Sequence, residues 1–256
     1  MTGATSSADV DPRASAGRGI AIEATALTRR FGERIALDRL TLRIAASESF
    51  ALLGANGAGK TTFIRLVTGA LLPSAGKLTV AGLSPALQPA EVHARLGFVM
   101  ETSRLYPELR VQGFLRFMGG ARGLAGAALA HAVEVALARF ELAAVATRLV
   151  GNLSKGYQQR VSLAQAFLTD PPLVIVDEPT GGLDPIQRRE VQTLLLGLRG
   201  RSTLLLCTHD LDEARTLATR VAVLSAGRLV AEGSPSQVLG GGDELAVFRA
   251  QAERAT

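Results

Sequence analysis

The sequence predicts an α/β fold: a mostly parallel sheet, an antiparallel β subdomain at its N-terminal side, and a helical subdomain inserted into the core. Three observations predict it. Short apolar runs broken by turn residues fill the early part of the chain. An Ala- and Leu-rich stretch at residues 110–150 carries apolar faces at helical spacing. Beyond it, buried apolar runs of strand length alternate with helical segments, the order expected of parallel strands.

Each element follows in turn. Residues 1–18 are rich in Ala, Ser, Gly and Asp and lack an apolar h-region, so a disordered tail is expected there and not a secretory signal. A main domain is expected over 19–240. It starts with strands at 20–26, 34–42 and 50–53, with a turn at Phe31-Gly32. The third strand runs directly into Gly54, and residues 60–66 keep helical spacing until Gly69 stops them. A hairpin-like piece at 76–80, a helix near 86–95 and a strand at 96–100 come next. The helical subdomain is expected over about 104–165, with breaks at Gly119, Gly120, Gly123 and Gly126. A further helix opens at Ser154-Lys155-Gly156 and is expected to run to Asp170. Strand 173–176, helix 185–198, strand 203–207, helix 211–218 and strands 221–224 and 228–231 complete the core. A short tail covers 241–256, and residues 243–254 have the pattern of a small amphipathic helix.

At 256 residues the chain has room for one large domain or for one domain with an insertion. The single cysteine, Cys207, excludes an intramolecular disulfide and a Cys-cluster metal site, and implies a reduced, cytosolic setting. No apolar stretch reaches the roughly 20 residues needed to cross a bilayer. The best candidate, 124–146, is interrupted by His131, Glu134, Arg139 and Glu141. Net charge is +5, but the arginines are scattered, which reads as a solvated surface more than as a nucleic-acid patch. The only lysines are Lys60, Lys77 and Lys155, and two of them fall inside phosphate-type motifs.

Gly54-Ala55-Asn56-Gly57-Ala58-Gly59-Lys60-Thr61 fits the phosphate-loop pattern at every fixed position, and Thr62 follows it. Its glycines let backbone N–H groups wrap phosphates, Lys60 reaches the β and γ phosphates, and Thr61 offers a hydroxyl to Mg²⁺. The apolar run at 173–176 closes in Asp177-Glu178, where Asp177 is suited to Mg²⁺ and Glu178 to taking a proton from an attacking water. His209 follows another apolar strand, where an imidazole can orient that water. His93 and His131 have no partners in the pattern and read as structural, as does Cys207 on its apolar strand. The octapeptide at 153–160, Leu-Ser-Lys-Gly-Tyr-Gln-Gln-Arg, puts Ser154 at a helix start, a second place suited to phosphate.

Walker A at 54–61, a signature at 153–160, Walker B at 173–178, the Pro-Thr-Gly-Gly-Leu-Asp-Pro run at 179–185 and His209 occur in the order and spacing of ABC-type ATPase domains. The chain resembles the ATP-binding subunit of an ABC transporter, over roughly residues 20–236. The resemblance implies a P-loop NTPase core with ATP and Mg²⁺ as cofactors. It implies a homodimer or heterodimer of ATPase subunits in which ATP lies between Lys60 and Thr61 of one and the signature residues Ser154, Lys155, Gly156 and Tyr157 of the other. Phe31 matches the adenine-stacking aromatic, Asp184 the D-loop residue that communicates across the dimer, Glu178 the general base. A separate transmembrane permease subunit is the expected partner, with this chain peripheral on the cytoplasmic face of the membrane and no nucleic acid bound.

Two departures stand out. The usual Q-loop glutamine is Glu101, which still offers an oxygen to Mg²⁺ but adds negative charge near the phosphates and only accepts hydrogen bonds. In the signature, Lys155 stands for a glycine and Tyr157 for a glutamine. Such variants resemble exporter-type subunits of the ABC-2, multidrug or gliding-motility groups, and subunits serving copper-site maturation. Export by a membrane partner is therefore the leading reading. The alternative, a soluble ABC ATPase acting on nucleic acid or ribosomes, usually carries two cassettes or a long coiled-coil insertion.

Overall fold

The computed structural model describes residues 19–101 and 105–240; the tail expected at 1–18 and the small helix expected at 243–254 lie outside the described residues. Strands β1 (Ile20–Phe31) and β2 (Arg34–Ala45) form an antiparallel pair, and a later strand, β4 (Ala75–Val80), joins the other edge of β1. The first two strands are longer than their apolar patterns predict. Register shifts in β1 and positive φ at Ala26 (47°) and Arg39 (49°) bend the ribbon, so the strict alternation that marks a strand is broken while pairing continues. The piece at 76–80 is no hairpin of its own: it pairs with β1, far back in the chain.

Strand β3 (Ser49–Leu53) leaves this small sheet and enters a second one. There it lies with β5 (Leu96–Val99), β6 (Leu173–Asp177), β7 (Thr203–Thr208), β8 (Arg220–Ser225) and β9 (Arg228–Gly233), in the order β5-β6-β7-β3-β8-β9. All neighbours are parallel except β8 and β9, as the strand-helix alternation requires. Both faces of this sheet are buried. Val174, Val176, Leu204 and Leu206 face one core, while Leu173, Ile175, Leu205 and Cys207 face the other.

Helix α1 (Lys60–Val67) fills the second core, placing Phe63, Ile64, Leu66 and Val67 between the two sheets. The short α2 (Pro89–Ala94) leads into β5. The first core is closed by the inserted helices α3 (Val111–Ala121) and α4 (Gly126–Arg139), then by α5 (Lys155–Ala166), through Phe114, Leu115, Phe140, Val161 and Leu163. Helix α5 stops at Ala166, short of Asp170. Asp170 adopts the left-handed region (φ 46°) and Pro171-Pro172 follow, residues that lack an N–H and disfavour helix before them. Helices α6 (Pro185–Leu196), α7 (Leu211–Leu217) and α8 (Pro235–Leu239) cover the rest.

Two contacts fix α5 in place. Arg160, buried in mid-helix, reaches Glu141 beyond α4 (2.6 Å) and Glu190 of α6 (2.7 Å), tying the insertion to the core. Gly97 of β5 lies so near the end of α5 that a Cβ there would stand 2.4 Å from the Ala166 carbonyl oxygen. Since that oxygen is backbone, the strand or the helix must shift for any larger residue. Gly97→Ala is expected to destabilise the fold by about 1–3 kcal/mol, read as a lower midpoint in denaturant unfolding; an unchanged midpoint contradicts this packing.

Candidate functional site

The three parallel strands β6, β7 and β3 are neighbours, so their C-terminal ends open on one edge, and three different loops meet there. From β3 comes the loop 54–59, which turns directly into α1. Its glycines are needed where they stand. Gly59 caps α1 with φ 113°, and a Cβ on it would lie 2.7 Å from the Ala36 carbonyl oxygen. A Cβ on Gly54 would lie 2.6 Å from the carbonyl oxygen of Leu224. The loop is thus pressed against β2 and β8 while its other side faces a cleft of about 330 Å³.

That cleft is lined by Phe31, Ala55, Asn56, Gly57, Gly59, Lys60, Thr61, Thr62, Glu101, Asp177, Glu178 and His209, all of them singled out in the sequence. Two of the expected nucleotide residues stand behind it instead. Ala58 is buried, with its N–H donated to Ala55 (3.1 Å) and its carbonyl accepting from Gly227. Gly54 turns its carbonyl to the Lys60 ammonium, which also reaches Ala55 (3.5 Å). Phe31 is 44% exposed where it lines the cleft, with the Arg29 guanidinium over its ring at 4.6 Å.

Glu178 is the most constrained acid of the cleft. It sits one residue past β6 in the left-handed region, φ 49°, and its N–H donates to the Cys207 carbonyl (2.8 Å). Its carboxylate accepts from the Thr208 hydroxyl (3.2 Å) and meets His209 Nδ1 at 2.8 Å, the imidazole itself being exposed. His209 is in turn braced, since neighbouring Asp210 takes a bond from Arg188 of α6 (2.6 Å). Asp177 lies beside this pair. Burial first, then the charges of Glu178 and Glu101, push its carboxyl up to about 6, against the opposing pull of Lys60. Burial likewise drives the Cys207 thiol well above its ordinary range, which leaves it an inert core residue.

The donor set of this edge suits a small hard cation. Among the described residues no three acidic, His or Cys side chains enclose an ion on their own. Magnesium is commonly held by one or two carboxylates, with water and phosphate oxygens completing the octahedron. Asp177, Glu101 and the Thr61 hydroxyl line the same cleft and are of that kind.

The signature residues form a second cleft, about 280 Å³, which shares no lining residue with the first. Ser154 is the N-cap of α5: its hydroxyl accepts from the Tyr157 N–H (3.4 Å), and no acid sits in the first turn. Gly156 is buried against α6, where a Cβ would come 2.9 Å from the Gln187 side chain. Tyr157 is half-buried beneath the Arg160 guanidinium, and Lys155 is exposed. Asp184 lines the same cleft as the N-cap of α6, accepting from Ile186 (3.0 Å) and Gln187 (2.9 Å).

Sequence reasoning missed Arg34, Ala36 and Thr208. The first two line the Walker cleft because β2 returns antiparallel beside β1 and sets Arg34 opposite Phe31. A turn at Phe31-Gly32 was the available signal.

Comparison with known proteins agrees with this geometry. Residues 37–181 match the family model described as "ABC transporter". The chain is 36% identical over 232 residues to Nod factor export ATP-binding protein I of Neorhizobium galegae, covering 90% of this chain and 67% of that one. It is 38% identical over 242 residues to daunorubicin resistance ATP-binding protein DrrA2 of Streptomyces coeruleorubidus, covering 91% and 73%. Among solved structures, cbiO1 from Clostridium perfringens, part of the ABC transporter complex cbiONQ, superposes with a TM-score of 0.81 at 25% identity, over 93% of this chain and 97% of that one. With the match spanning the Walker A loop, the signature helix and Walker B, the chain belongs to the ABC transporter family as an ATP-binding, ATP-hydrolysing protein.

Proposed function

We propose that this chain is the ATPase subunit of an exporter, driving a separate membrane-spanning partner from the cytoplasmic face of the membrane. The observation that carries the reading is the presence of two different clefts, one with a phosphate loop and acids, the other with a capped helix start. One chain supplies one of each, so a second ATPase subunit completes each ATP site. The names of the relatives, Nod factor export and daunorubicin resistance, support export as the direction. None of them points to nucleic acid.

In this mechanism the base of ATP stacks on Phe31. The amides of Ala55, Asn56, Gly57 and Gly59 surround the phosphates, Lys60 neutralises the β and γ oxygens, and Thr61 and Thr62 complete the cradle. Bound Mg²⁺ would supply charge neutralisation and a fixed phosphate geometry, with Thr61, Asp177 and Glu101 as its protein ligands. Glu178 takes the proton of the attacking water, and His209, 2.8 Å from its carboxylate, helps orient that water towards the γ-phosphate. From the partner subunit, Ser154 and the free N–H groups of α5, with Lys155, Gly156 and Tyr157, close on the same phosphate. Asp184, fixed as a cap, lies at the seam of the closed pair. Closure with ATP and reopening after hydrolysis do the work.

A landing surface for the membrane partner is supported by exposed aromatics on the insertion. Tyr106 (44% exposed) and Phe117 of α3 (52% exposed) meet edge-on at 5.4 Å, and Leu105, next to Tyr106 in the chain, is half-buried against the core. Two exposed aromatic rings packed on one another give this part of the insertion an apolar surface that a helix of the membrane partner could cover.

Glu178→Gln is expected to lower ATP turnover about 10²- to 10⁴-fold, the usual contribution of a positioned base, while MgATP still binds and a dimer accumulates on size exclusion. Rapid turnover by that variant refutes the base assignment. Ser154→Asp keeps an N-cap of equal quality but sets an anion where the partner's phosphate must arrive. It should fold normally, bind MgATP as a monomer, and lose ATP-dependent dimerisation; a variant that still dimerises with ATP defeats the shared site. Affinity purification of the chain from membranes of its own cell tests the partner, and consistent failure to bring down any membrane-spanning protein excludes it.

A further inference from the structure

The Walker cleft contains more negative charge than its one lysine answers. Asp177, Glu178 and Glu101 all line it beside Lys60, and a triphosphate brings further anions. The cleft's other cation is Arg34. It opens β2 directly across the hairpin from Phe31, and its Nη2 lies 4.0 Å from where a Cβ on Gly57 would stand. The guanidinium therefore lies between the residue assigned to the base and the amide-lined loop assigned to the phosphates.

Arg34 differs from Arg29, Arg43 and Arg228, and it is Arg34 that lines the cleft. Arg29 is engaged with the Phe31 ring and donates to the Leu72 carbonyl (2.8 Å), Arg43 pairs with Glu23 (2.6 Å), and Arg228 pairs with Asp38 (2.6 Å). Arg34 is exposed and has no carboxylate partner among the described residues. A charged fork left unpaired beside Gly57, in a cleft with an excess of acids, has an anion as its natural partner, and guanidinium matches phosphate oxygens in pairs.

We propose that Arg34 is a second phosphate-binding cation of the nucleotide site, holding the polyphosphate from the Gly57 side while Lys60 holds it from within the loop. The proposal rests on the ATP-binding reading above. It adds a residue outside every motif of the sequence.

Calorimetric titration of the full chain with MgATP, MgADP and adenosine tests it, on the wild type, Lys60→Ala, Arg34→Ala and Arg34→Lys. One partly exposed, charge-assisted contact corresponds to about a tenfold loss. Arg34→Ala should show that loss for both MgATP and MgADP, none for adenosine, and a weaker dependence of MgATP affinity on salt. Arg34→Lys, which keeps the charge, should recover part of the loss. Wild-type MgATP affinity in Arg34→Ala overturns the proposal, as does an equal loss for adenosine or no recovery with lysine. A wild type that binds no MgATP, or a Lys60→Ala that binds it normally, would instead remove the nucleotide assignment on which the proposal stands.

Discussion

Parallel pairing of β6, β7 and β3 is the constraint from which the rest follows. Parallel neighbours end at the same edge, so the phosphate loop after β3, the acids after β6 and the histidine after β7 meet although they are distant in sequence. Pairing of this kind needs both faces of the sheet covered. The small sheet and α1 cover one face, the inserted helices and α5 the other. The insertion is therefore core as much as appendage: Phe114, Leu115, Val133 and Phe140 belong to the same apolar cluster as Val174, Val176, Leu204 and Leu206 of the parallel strands.

The signature cleft depends on a different kind of restraint. Ser154 is exposed at the start of α5, but the helix behind it is held by a buried arginine with two acidic partners, and by Gly156 lying against Gln187. Because Glu190 belongs to α6, whose cap is Asp184, the signature and the D-loop are parts of one rigid corner. A buried arginine is strongly destabilising when a partner is lost, so this corner resists separation.

What the sequence disclosed, and what it hid, divides along contact distance. The phosphate loop, the Asp177-Glu178 pair and the start of α5 were legible because each depends on a few adjacent residues: glycines where no Cβ fits, an acid pair closing an apolar run, a serine before a helix. The cleft residue Arg34 was not, because its importance comes from lying across a hairpin from Phe31 and beside Gly57, which only pairing decides. Strands β1 and β2 outran their predicted ends because bulges broke the alternation without breaking the ladder. Likewise β4 looked like half of a local hairpin, since nothing in residues 76–80 says that the partner is β1.

The backbone at Glu178 has a further consequence. An L-residue held at φ 49° is strained by an amount that glycine would not feel, and the strain is sustained by the bond from its N–H to Cys207. At this position the residue best for the fold and the residue needed for the proposed reaction are therefore different. A glycine would relax the turn and discard the carboxylate, so selection for stability alone would tend to erase the proposed base. Ala26, Arg39 and Asp170 hold the same backbone region, so at Glu178 the strain is a cost of the turn on which the proposed carboxylate chemistry is superimposed.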